Sequence, residues 1–401
     1  MTVKLYSHSL RSDILIEEMS SLRVYLDYNA TTPLRAEARD AMVTAMDVFG
    51  NPSSVHDEGR RAMSLVTRAR QQVASLIGGQ SAQLVFTSSA TEALNMVVNG
   101  DWDCLIALAT EHSAVLAPIA ASETPSIIVG VDQNGIIALD ELDAAVDAAL
   151  VHGPRCLVCI QAANNETGVV QPLSRIAQRV RERGAQLLCD AVQIAGKLPF
   201  DVAALGVDYA VISSHKLGGP KGCGALWAAG AAFPPALIHG GGQEKGVRGG
   251  TENVAAISAF GAAAEAAQSS LESFDGDGHL QDSFEEQLLS AAPGAVVLGK
   301  SAARLPNTTS VAAPGCAAET LVIRLDLAGF SVSAGAACSS GKVARSHVVD
   351  AMFKDGADDR KLSSSAVRIS TGWTTTQNDL TRFISAWSQI IRSSSGYRQV
   401  A

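Results

Sequence analysis

Two lysines, Lys216 and Lys221, stand close together in the segment ISSHKLGGPKG, which follows directly on the apolar run DYAVI. An amine at this point can do chemistry, because ligands of an open parallel α/β sheet bind where its strands end. Lys216 follows the predicted strand directly, beside Ser213 and His215, whereas Lys221 lies beyond a Gly-Gly-Pro turn. We therefore predict that Lys216 reacts with a ligand and that Lys221 is a solvated loop charge.

Polar side chains follow three other apolar runs in the same way. QLVF precedes TSSATE (87–92), whose hydroxyl and N–H groups suit a phosphate at a helix start, although an ordinary N-cap has the same composition. Asp190 follows AQLLC, where a carboxyl group needs a cationic partner and a salt bridge is the alternative. Asn164, Asn165 and Glu166 follow CLVCIQAA, and they could equally form a turn.

Together these strand ends offer a phosphate cup, a buried carboxylate, an amide pair and a lysine. Pyridoxal phosphate is the ligand that needs all four. Lys216 would form a Schiff base with it, and Asp190 would keep its pyridinium nitrogen charged so that the ring accepts electrons. The combination is far more specific than any single member.

A second group of reactive side chains lies in the C-terminal half. Cys338 stands in SAGAACSSGKVARSH, which we expect to be a mobile exposed loop where Lys342 and Arg345 favour its thiolate. Arg368 lies inside the strand-like run AVRIST, and its guanidinium could hold a substrate carboxylate through two hydrogen bonds. The alternatives are an incidental loop cysteine and a structural ion pair.

The surrounding pattern predicts how these residues are positioned. Short apolar runs alternate with helix-like segments, which indicates an α/β fold with a mainly parallel sheet covered on both faces. The Ala-rich segment after HGGGQEKGVRGGT predicts one long helix, and the pattern restarts beyond DGDG as a smaller α/β domain. We divide the chain into an N-terminal extension (1–23), a large domain (24–262) and a small domain (263–401) with the cysteine loop at about 334–347. The first residues of the large domain could also pack with the small one.

Composition and charge exclude several classes of function. The chain has 401 residues, of which 47% are hydrophobic and 18% are charged, and its formal net charge is −9. This charge disfavours a nucleic-acid partner, and no uncharged apolar run reads as a membrane span. The N-terminal stretch has no secretory pattern, so we expect a cytoplasmic protein.

The seven cysteines are irregularly spaced, and we expect reduced thiols rather than a disulfide framework. Cys156 and Cys159 form a CxxC pair inside an apolar run. No second pair completes a metal site, so we expect no metal.

Nine motifs, in order from about Val24 to the C-terminus, can be compared with known families. They are VYLDYNATTP (24–33), GNPSSVH (50–56), FTSSATEALN (86–95), TEHSAV (110–115), NNETGVVQPL (164–173), CDAVQIAGKLP (189–199), SSHKLGGPKGCGAL (213–226), HGGGQEKGVRGGTEN (239–253) and GAACSSGK (335–342). They resemble the cysteine desulfurases, which are class V aminotransferases within the fold type I pyridoxal-phosphate enzymes. The resemblance implies a large domain with a mainly parallel seven-stranded sheet and a smaller C-terminal α/β domain.

The resemblance also implies a reaction, in which L-cysteine gives L-alanine and its sulfur remains as a persulfide on an enzyme cysteine. Lys216 matches the Schiff-base lysine, Cys338 the sulfur-accepting cysteine and His112 the histidine that stacks on the ring and moves protons. The positions that match cofactor-binding residues are Ala90, Thr91, Asn165, Asp190, Gln193, Ser213, His215, Lys216 and Thr251.

Within this set the implied roles differ. Asp190 matches the pyridinium partner and Gln193 the residue that bonds the ring hydroxyl, whereas Ala90, Thr91, Ser213 and His215 match the phosphate cup. Asn165 and Arg368 match substrate-binding residues. Arg368 matches the arginine that binds the substrate carboxylate.

The resemblance extends to partners. Thr251 matches a phosphate ligand that comes from the other subunit, which implies a homodimer. The spacing from Cys338 to Arg368 resembles the long-loop group, which passes persulfide directly to scaffold proteins. A sulfur acceptor such as an iron–sulfur scaffold is therefore the expected partner, although tRNA-thiolation proteins and molybdenum-cofactor enzymes also fit.

Two alternatives stay open. One is a selenocysteine lyase or another class V pyridoxal-phosphate enzyme, and the other is a non-catalytic scaffold subunit with this fold. Two positions depart from the family pattern, since Gly249 stands where Ser is frequent and Arg345 stands where Pro is common. The second departure could alter the stiffness of the cysteine loop or the docking of an acceptor.

Overall fold

The computed structural model describes residues 23–271, 278–335, 345–353 and 361–394. The N-terminal extension up to residue 22 and the predicted sulfur acceptor Cys338 lie outside the described residues.

The described residues contain thirteen strands, which form three sheets. In chain order the strands are β1 (Val24–Tyr25), β2 (Leu84–Thr87), β3 (Cys104–Leu108), β4 (Ser126–Val129), β5 (Cys156–Gln161), β6 (Gln186–Asp190), β7 (Tyr209–Ser213), β8 (Gly224–Ala228), β9 (Val296–Val297), β10 (Thr308–Ala312), β11 (Phe330–Ser331), β12 (Ser333–Ala334) and β13 (Ala366–Ser370).

Twelve α-helices in the described part of the chain accompany these strands. In chain order they are α1 (Ala36–Met46), α2 (Asp57–Leu76), α3 (Ala90–Val98), α4 (Ser113–Ala121), α5 (Leu139–Ala149), α6 (Leu173–Glu182), α7 (Val202–Leu205), α8 (Val254–Ser269), α9 (Gly278–Ala291), α10 (Ala318–Leu327), α11 (His347–Met352) and α12 (Gln377–Arg392). Among the described residues, no helix has both the length and the apolar character that a membrane crossing needs.

The largest sheet has seven strands in the order β2-β8-β7-β6-β5-β3-β4. Strand β8 runs antiparallel to both of its neighbours, and all other pairings are parallel. The strands are apolar almost throughout because helices cover both faces of the sheet, and β5 is buried at all six positions. The mainly parallel sheet that the pattern predicts is therefore confirmed, and it has the seven strands that the resemblance implies. Strands β4 and β8 were not predicted.

The CxxC pair lies in β5, and its two thiols face opposite sides of the sheet. Cys156 packs in the core under one face, and Cys159 packs in the core under the other. Such a pair cannot bind one metal ion. The six cysteines of the described residues are all free thiols, as expected.

The long predicted helix is α8, which packs against α1 and α2 in the core of the seven-stranded sheet. At Gly261, helices α8 and α2 approach so closely that an added Cβ would lie 2.4 Å from Oε1 of Gln72 and 2.6 Å from Cα of Ala69. The proposed domain boundary at 262/263 lies inside this helix, and Ala263 and Ala267 still belong to the large core.

The C-terminal part forms a separate core around a four-stranded antiparallel sheet in the order β12-β13-β10-β9. Phe383 and Trp387 of α12 are fully buried in it. Strand β1 pairs in parallel with β11, and Val24 and Leu26 lie in this second core. The described part of the chain therefore begins against β11 and the second core, and it then crosses to the large sheet past the carboxyl ends of the parallel strands.

We predict that Gly261→Leu destabilises the protein by about 2 kcal/mol or more, because the larger side chain must push α8 away from α2. The exposed Gln268 of the same helix provides the control, since a leucine there meets solvent. Urea unfolding of both variants measures the difference. Equal free energies of unfolding for the two variants would contradict the close packing at Gly261.

Candidate active site

One cavity of about 260 Å³ opens at the carboxyl ends of the parallel strands. Ten of the twelve predicted site residues line it. They are Ala90, Thr91, His112, Asn165, Asp190, Gln193, Ser213, His215, Lys216 and Arg368. The other two are Thr251, which lies elsewhere, and Cys338, which is outside the described residues.

Lys216 ends a single 3-10 turn that follows β7 directly. Its Nζ donates hydrogen bonds to the main-chain oxygens of Asn29 and Ala30, the latter at 2.8 Å. The amine is thereby held at the cavity wall, where it can reach a ligand. Lys221 is exposed and does not line the cavity, in line with its interpretation as a loop charge.

Asp190 is the last residue of β6 and is only 4% exposed. Its Oδ1 accepts a hydrogen bond from the N–H of Val192 at 2.9 Å. Burial raises the pKa of Asp190 to about 6, although the Val192 N–H and the charge of Lys216 both act to lower it. A cation bound beside this carboxyl group would therefore gain a strong partner.

The start of α3 lies at the cavity wall, which Ser89, Ala90 and Thr91 line. The backbone of β8 passes so close that a Cβ on Gly224 would lie 2.5 Å from the carbonyl carbon of Ser89 and 2.7 Å from the nitrogen of Ala90. The N–H groups of a first helical turn attract anions. The N-cap alternative is present as well, because Oγ of Ser89 accepts from the N–H of Glu92 at 3.1 Å.

Two histidines contribute neutral rings to the cavity. Nδ1 of His215 lies 3.1 Å from Oγ1 of Thr31, and burial together with the charges of Lys216 and Lys221 lowers the pKa of His215 to about 4. His112 caps α4, where its Nδ1 accepts the N–H of Ala114 at 3.1 Å.

Burial, Lys216 and His347 lower the pKa of His112 to about 4. Because Nδ1 of His112 accepts a hydrogen bond, the proton of the neutral ring resides on Nε2. This neutral imidazole can stack on a flat ligand and can take up or release a proton.

Arg368 of β13 reaches the cavity from the small sheet. Its Nη2 pairs with Oδ1 of Asp27 at 2.7 Å, and its Nη1 donates to the main-chain oxygen of Asn165 at 2.9 Å. Its buried Nε has no hydrogen-bond partner among the described residues. The structural ion pair that the sequence left open is therefore present, in a guanidinium that also faces the ligand space.

The polar cluster after β5 likewise combines a turn with a site contact. Oδ1 of Asn164 accepts from the N–H groups of Glu166 and Thr167, both at 2.9 Å, so this asparagine closes the turn. The next residue, Asn165, lines the cavity and accepts a hydrogen bond from Nε2 of Gln161 at 3.1 Å.

Three residues at the site were missed by sequence reasoning. Gln161 ends β5 and lines the cavity, so the strand-end rule could have found it. Asn29 lies in the loop after β1, and buried Lys197 donates to its Oδ1 and to Oε1 of Gln193, both at 2.8 Å. No periodicity in the sequence points to Asn29 or Lys197.

Thr251 is exposed and lines a second cavity of about 200 Å³ together with Arg248. Gly249, the first departure from the family pattern, packs on the backbone of Gly240, where an added Cβ would lie 2.6 Å from Cα. A side chain at residue 249 would therefore require the backbone of Gly240 to shift. At the second departure, exposed Arg345 pairs with Asp350 of α11 at 2.8 Å.

Known proteins resemble the chain over most of its length. The model of the family described as Aminotransferase class-V matches residues 24–383. A protein of Trichormus azollae named "Cysteine desulfurase" is 38% identical over 380 residues, which cover 92% of this chain and 92% of that protein.

Solved structures resemble it too. The structure described as a NifS-like protein from Rickettsia africae ESF-5 has a TM-score of 0.84 and 33% identity, covering 92% of this chain and 99% of that one. A chain described as SspA in complex with cysteine has a TM-score of 0.73 and 28% identity, covering 86% and 98%. These matches confirm the fold class that the motifs predicted.

Asp190 makes the stability of the ligand-free protein depend on pH. Its folded pKa of about 6 lies above the ordinary value of 3.8, so folding favours the protonated carboxyl group. This contribution is complete below about pH 3.8 and is lost as the pH rises through about 6. Above that pH, the ionised buried carboxylate costs about 3 kcal/mol.

We therefore expect Asp190→Asn to raise the free energy of unfolding by up to about 3 kcal/mol near pH 8 and to change it little near pH 4. Urea unfolding of the ligand-free protein at the two pH values measures this. Asp47→Asn, at an exposed position, serves as the control. A stability gain that does not depend on pH would show that burial of charge is not the cause.

Proposed function

This chain belongs to the cysteine desulfurase family of class V aminotransferases, and we propose that it converts L-cysteine to L-alanine and captures the sulfur as a persulfide on Cys338. The observation that carries the proposal is the convergence of Lys216, Asp190, His112 and Arg368 on one cavity. An amine, a buried acid, a neutral imidazole and a guanidinium are the groups this chemistry needs. A scaffold subunit without catalysis would have no use for them together.

The residues that line the cavity fit pyridoxal 5'-phosphate. The start of α3 suits the phosphate, since Ala90 and Thr91 of its first turn line the cavity. Buried Asp190 suits the pyridinium nitrogen, the amide of Gln193 the ring hydroxyl, and Lys216 the aldehyde carbon. When bound, this cofactor supplies a sink for the electrons released at the substrate Cα.

The protein groups then have separate tasks. An ionised Asp190 would hold a proton on a ring nitrogen placed beside it. The amine of Lys216, at the cavity wall, would take the proton from the substrate Cα. His112 is neutral near pH 7 because its pKa is lowered to about 4, so it can act as a second proton carrier.

Substrate orientation falls to Arg368 and Asn165. The guanidinium is held from two sides by Asp27 and by the main-chain oxygen of Asn165, which limits its rotation. A substrate carboxylate would therefore meet a cation that is already oriented, and little entropy is lost on binding.

The sulfur step balances without an external oxidant. The thiolate of Cys338 attacks the sulfur of the substrate, a sulfur–sulfur bond forms, and the bond from Cβ to sulfur breaks. The electron pair of the broken bond stays with the carbon, which takes up a proton and becomes the methyl group of alanine. The sulfur is oxidised to the sulfane level and the carbon is reduced.

We extend the proposal to a homodimer in which Thr251 serves the cofactor site of the partner. Its exposure, and its position outside the first cavity, support this role. Exposed apolar side chains around the GNPSSVH segment supply surface that a second subunit could bury. They are Val43, Met46, Phe49 and Val55.

The proposed acceptor is a protein, such as an iron–sulfur scaffold, and the proposed compartment is the cytoplasm. An acceptor thiolate can take the outer sulfur from the persulfide by exchange. The net charge of −9 supports a protein rather than a nucleic acid as the partner. The free thiols of the six described cysteines suit a reducing compartment.

Replacing Cys338 by alanine tests the persulfide step. We expect sulfide release from L-cysteine to fall by about 100-fold or more, because the nucleophile is lost. The bound pyridoxal phosphate content should stay unchanged, and Cys316→Ala in the second core is the control for a lost thiol. Undiminished sulfide release would favour another class V enzyme, and failure of the wild-type protein to take up the cofactor would favour a non-catalytic subunit.

Arg368→Lys tests the substrate contact. Loss of the guanidinium fork should raise KM for L-cysteine about 10- to 100-fold, since charge-assisted hydrogen bonds contribute about 1.5–3 kcal/mol. Steady-state kinetics with the cofactor-loaded protein measure this, and Arg155→Lys at the surface is the matched control. An unchanged KM would assign Arg368 to a structural ion pair alone.

A further inference from the structure

Glu166 lies between the candidate site and the part of the chain that carries Cys338. It follows Asn165, which lines the cavity, and is only 3% exposed. Its own side chain does not line the cavity. Its backbone is fixed, because its N–H donates to Oδ1 of Asn164 at 2.9 Å. The proposed reaction does not use this buried carboxyl group.

One oxygen of Glu166 contacts the chain on both sides of Cys338. Gly335 packs so tightly that an added Cβ would lie 2.1 Å from Oε2. The hydroxyl of Ser346 donates a hydrogen bond to the same Oε2 at 2.5 Å. Gly335 is the last described residue before Cys338, and Ser346 is the second described residue after it. Both ends of this segment therefore meet at a single atom.

The C-terminal end of the segment is fixed by further hydrogen bonds. Oγ of Ser346 also accepts the N–H of Val349 at 3.1 Å and so caps α11. Nε2 of His347 lies 3.0 Å from the main-chain oxygen of Glu111, the residue before His112. The fixed end thus adjoins the residues that carry the proposed proton transfer.

Chain length turns the Gly335 contact into a limit on the cysteine. Cys338 is three residues beyond Gly335. Three residues span at most about 11 Å even when fully extended. Gly335 abuts Glu166, which adjoins cavity-lining Asn165, so the covalent chain ties residue 338 to within about 11 Å of a point beside the cavity. A change in the contact between Gly335 and Glu166 would therefore change the region that the thiol can reach.

We propose that Glu166 is a positioning residue for sulfur transfer, which holds both ends of the Cys338 segment beside the cavity. The inference rests on the proposed function. Glu166 would raise the effective concentration of the Cys338 thiol at the substrate sulfur, and it would do so without contacting substrate or cofactor. Glu166→Ala removes the anchor, whereas Glu166→Gln retains its shape and one acceptor oxygen.

The experiment compares two steps in the cofactor-loaded protein. The first is single-turnover formation of the Cys338 persulfide from L-cysteine, followed by mass spectrometry. The second is exchange of the Cα hydrogen of L-alanine in deuterated water, which needs the cavity but no sulfur transfer. We expect Glu166→Ala to slow persulfide formation about tenfold or more and to leave the exchange rate and the KM for cysteine within about twofold. Glu166→Gln should restore most of the rate.

Ser346 provides an independent variant on the other side of the hydrogen bond. Ser346→Ala should slow persulfide formation in the same way, and Ser346→Thr, which retains the hydroxyl group, should not. The combined Glu166→Ala, Ser346→Ala protein should be no slower than the worse single variant, because both changes remove one interaction. This pair keeps the test valid if Glu166→Ala folds poorly.

The outcomes separate this inference from the proposed function. If wild-type protein forms persulfide and the Glu166 and Ser346 variants form it equally fast, the inference alone is overturned. A parallel loss of Cα exchange would also overturn it, since Glu166 would then support the cavity as a whole. If the wild-type protein forms no persulfide on Cys338, the proposed function fails, and the inference fails with it.

Discussion

The position of Asn29 is the constraint on which the site depends. Its main-chain oxygen accepts hydrogen bonds from Lys216 and from Nε2 of Gln193, which both follow strands of the seven-stranded sheet. Its N–H donates to Oγ of Ser370, and its side chain donates to Oγ1 of Thr308, in the four-stranded sheet. One loop residue therefore ties the two sheets together at the cavity, and the groups that face a ligand are held from both sides.

Burial controls the charge of the groups around this contact. It lowers the pKa of Lys197 well below its usual range and that of His112 to about 4. It also raises the pKa of Asp190 to about 6 and that of fully buried Glu111 well above the ordinary range. Of these groups, Asp190 and His112 line the cavity, where a ligand can replace the solvation that burial removes. A ligand with charges of both signs, such as the proposed cofactor, would suit this lining.

Much of the fold and site follows from local pattern. A strand buried on both faces reads as a continuous apolar run, so CLIAL at 104–108 is a strand with the predicted bounds. The polar residue that ends such a run stands at the sheet edge, which located Asp190 and Lys216. Strand β8 was missed because GALWA lies in a glycine-rich region where small residues weaken the pattern. The predicted roles of Thr251 and Cys338 concern a partner subunit and a segment beyond the described residues, and they stay predictions.

The sequence by itself determined which reactive groups the chain contains and which of them stand at strand ends. This is so because alternating strands and helices bring the carboxyl ends of parallel strands to one edge. Only the tertiary structure decided how the small sheet meets that edge, and with it the pairing of Arg368 with Asp27. The same holds for Ser346 and Glu166, which are 180 positions apart. Contacts of this kind depend on the relative placement of two sheets, and no local period in the sequence encodes that placement.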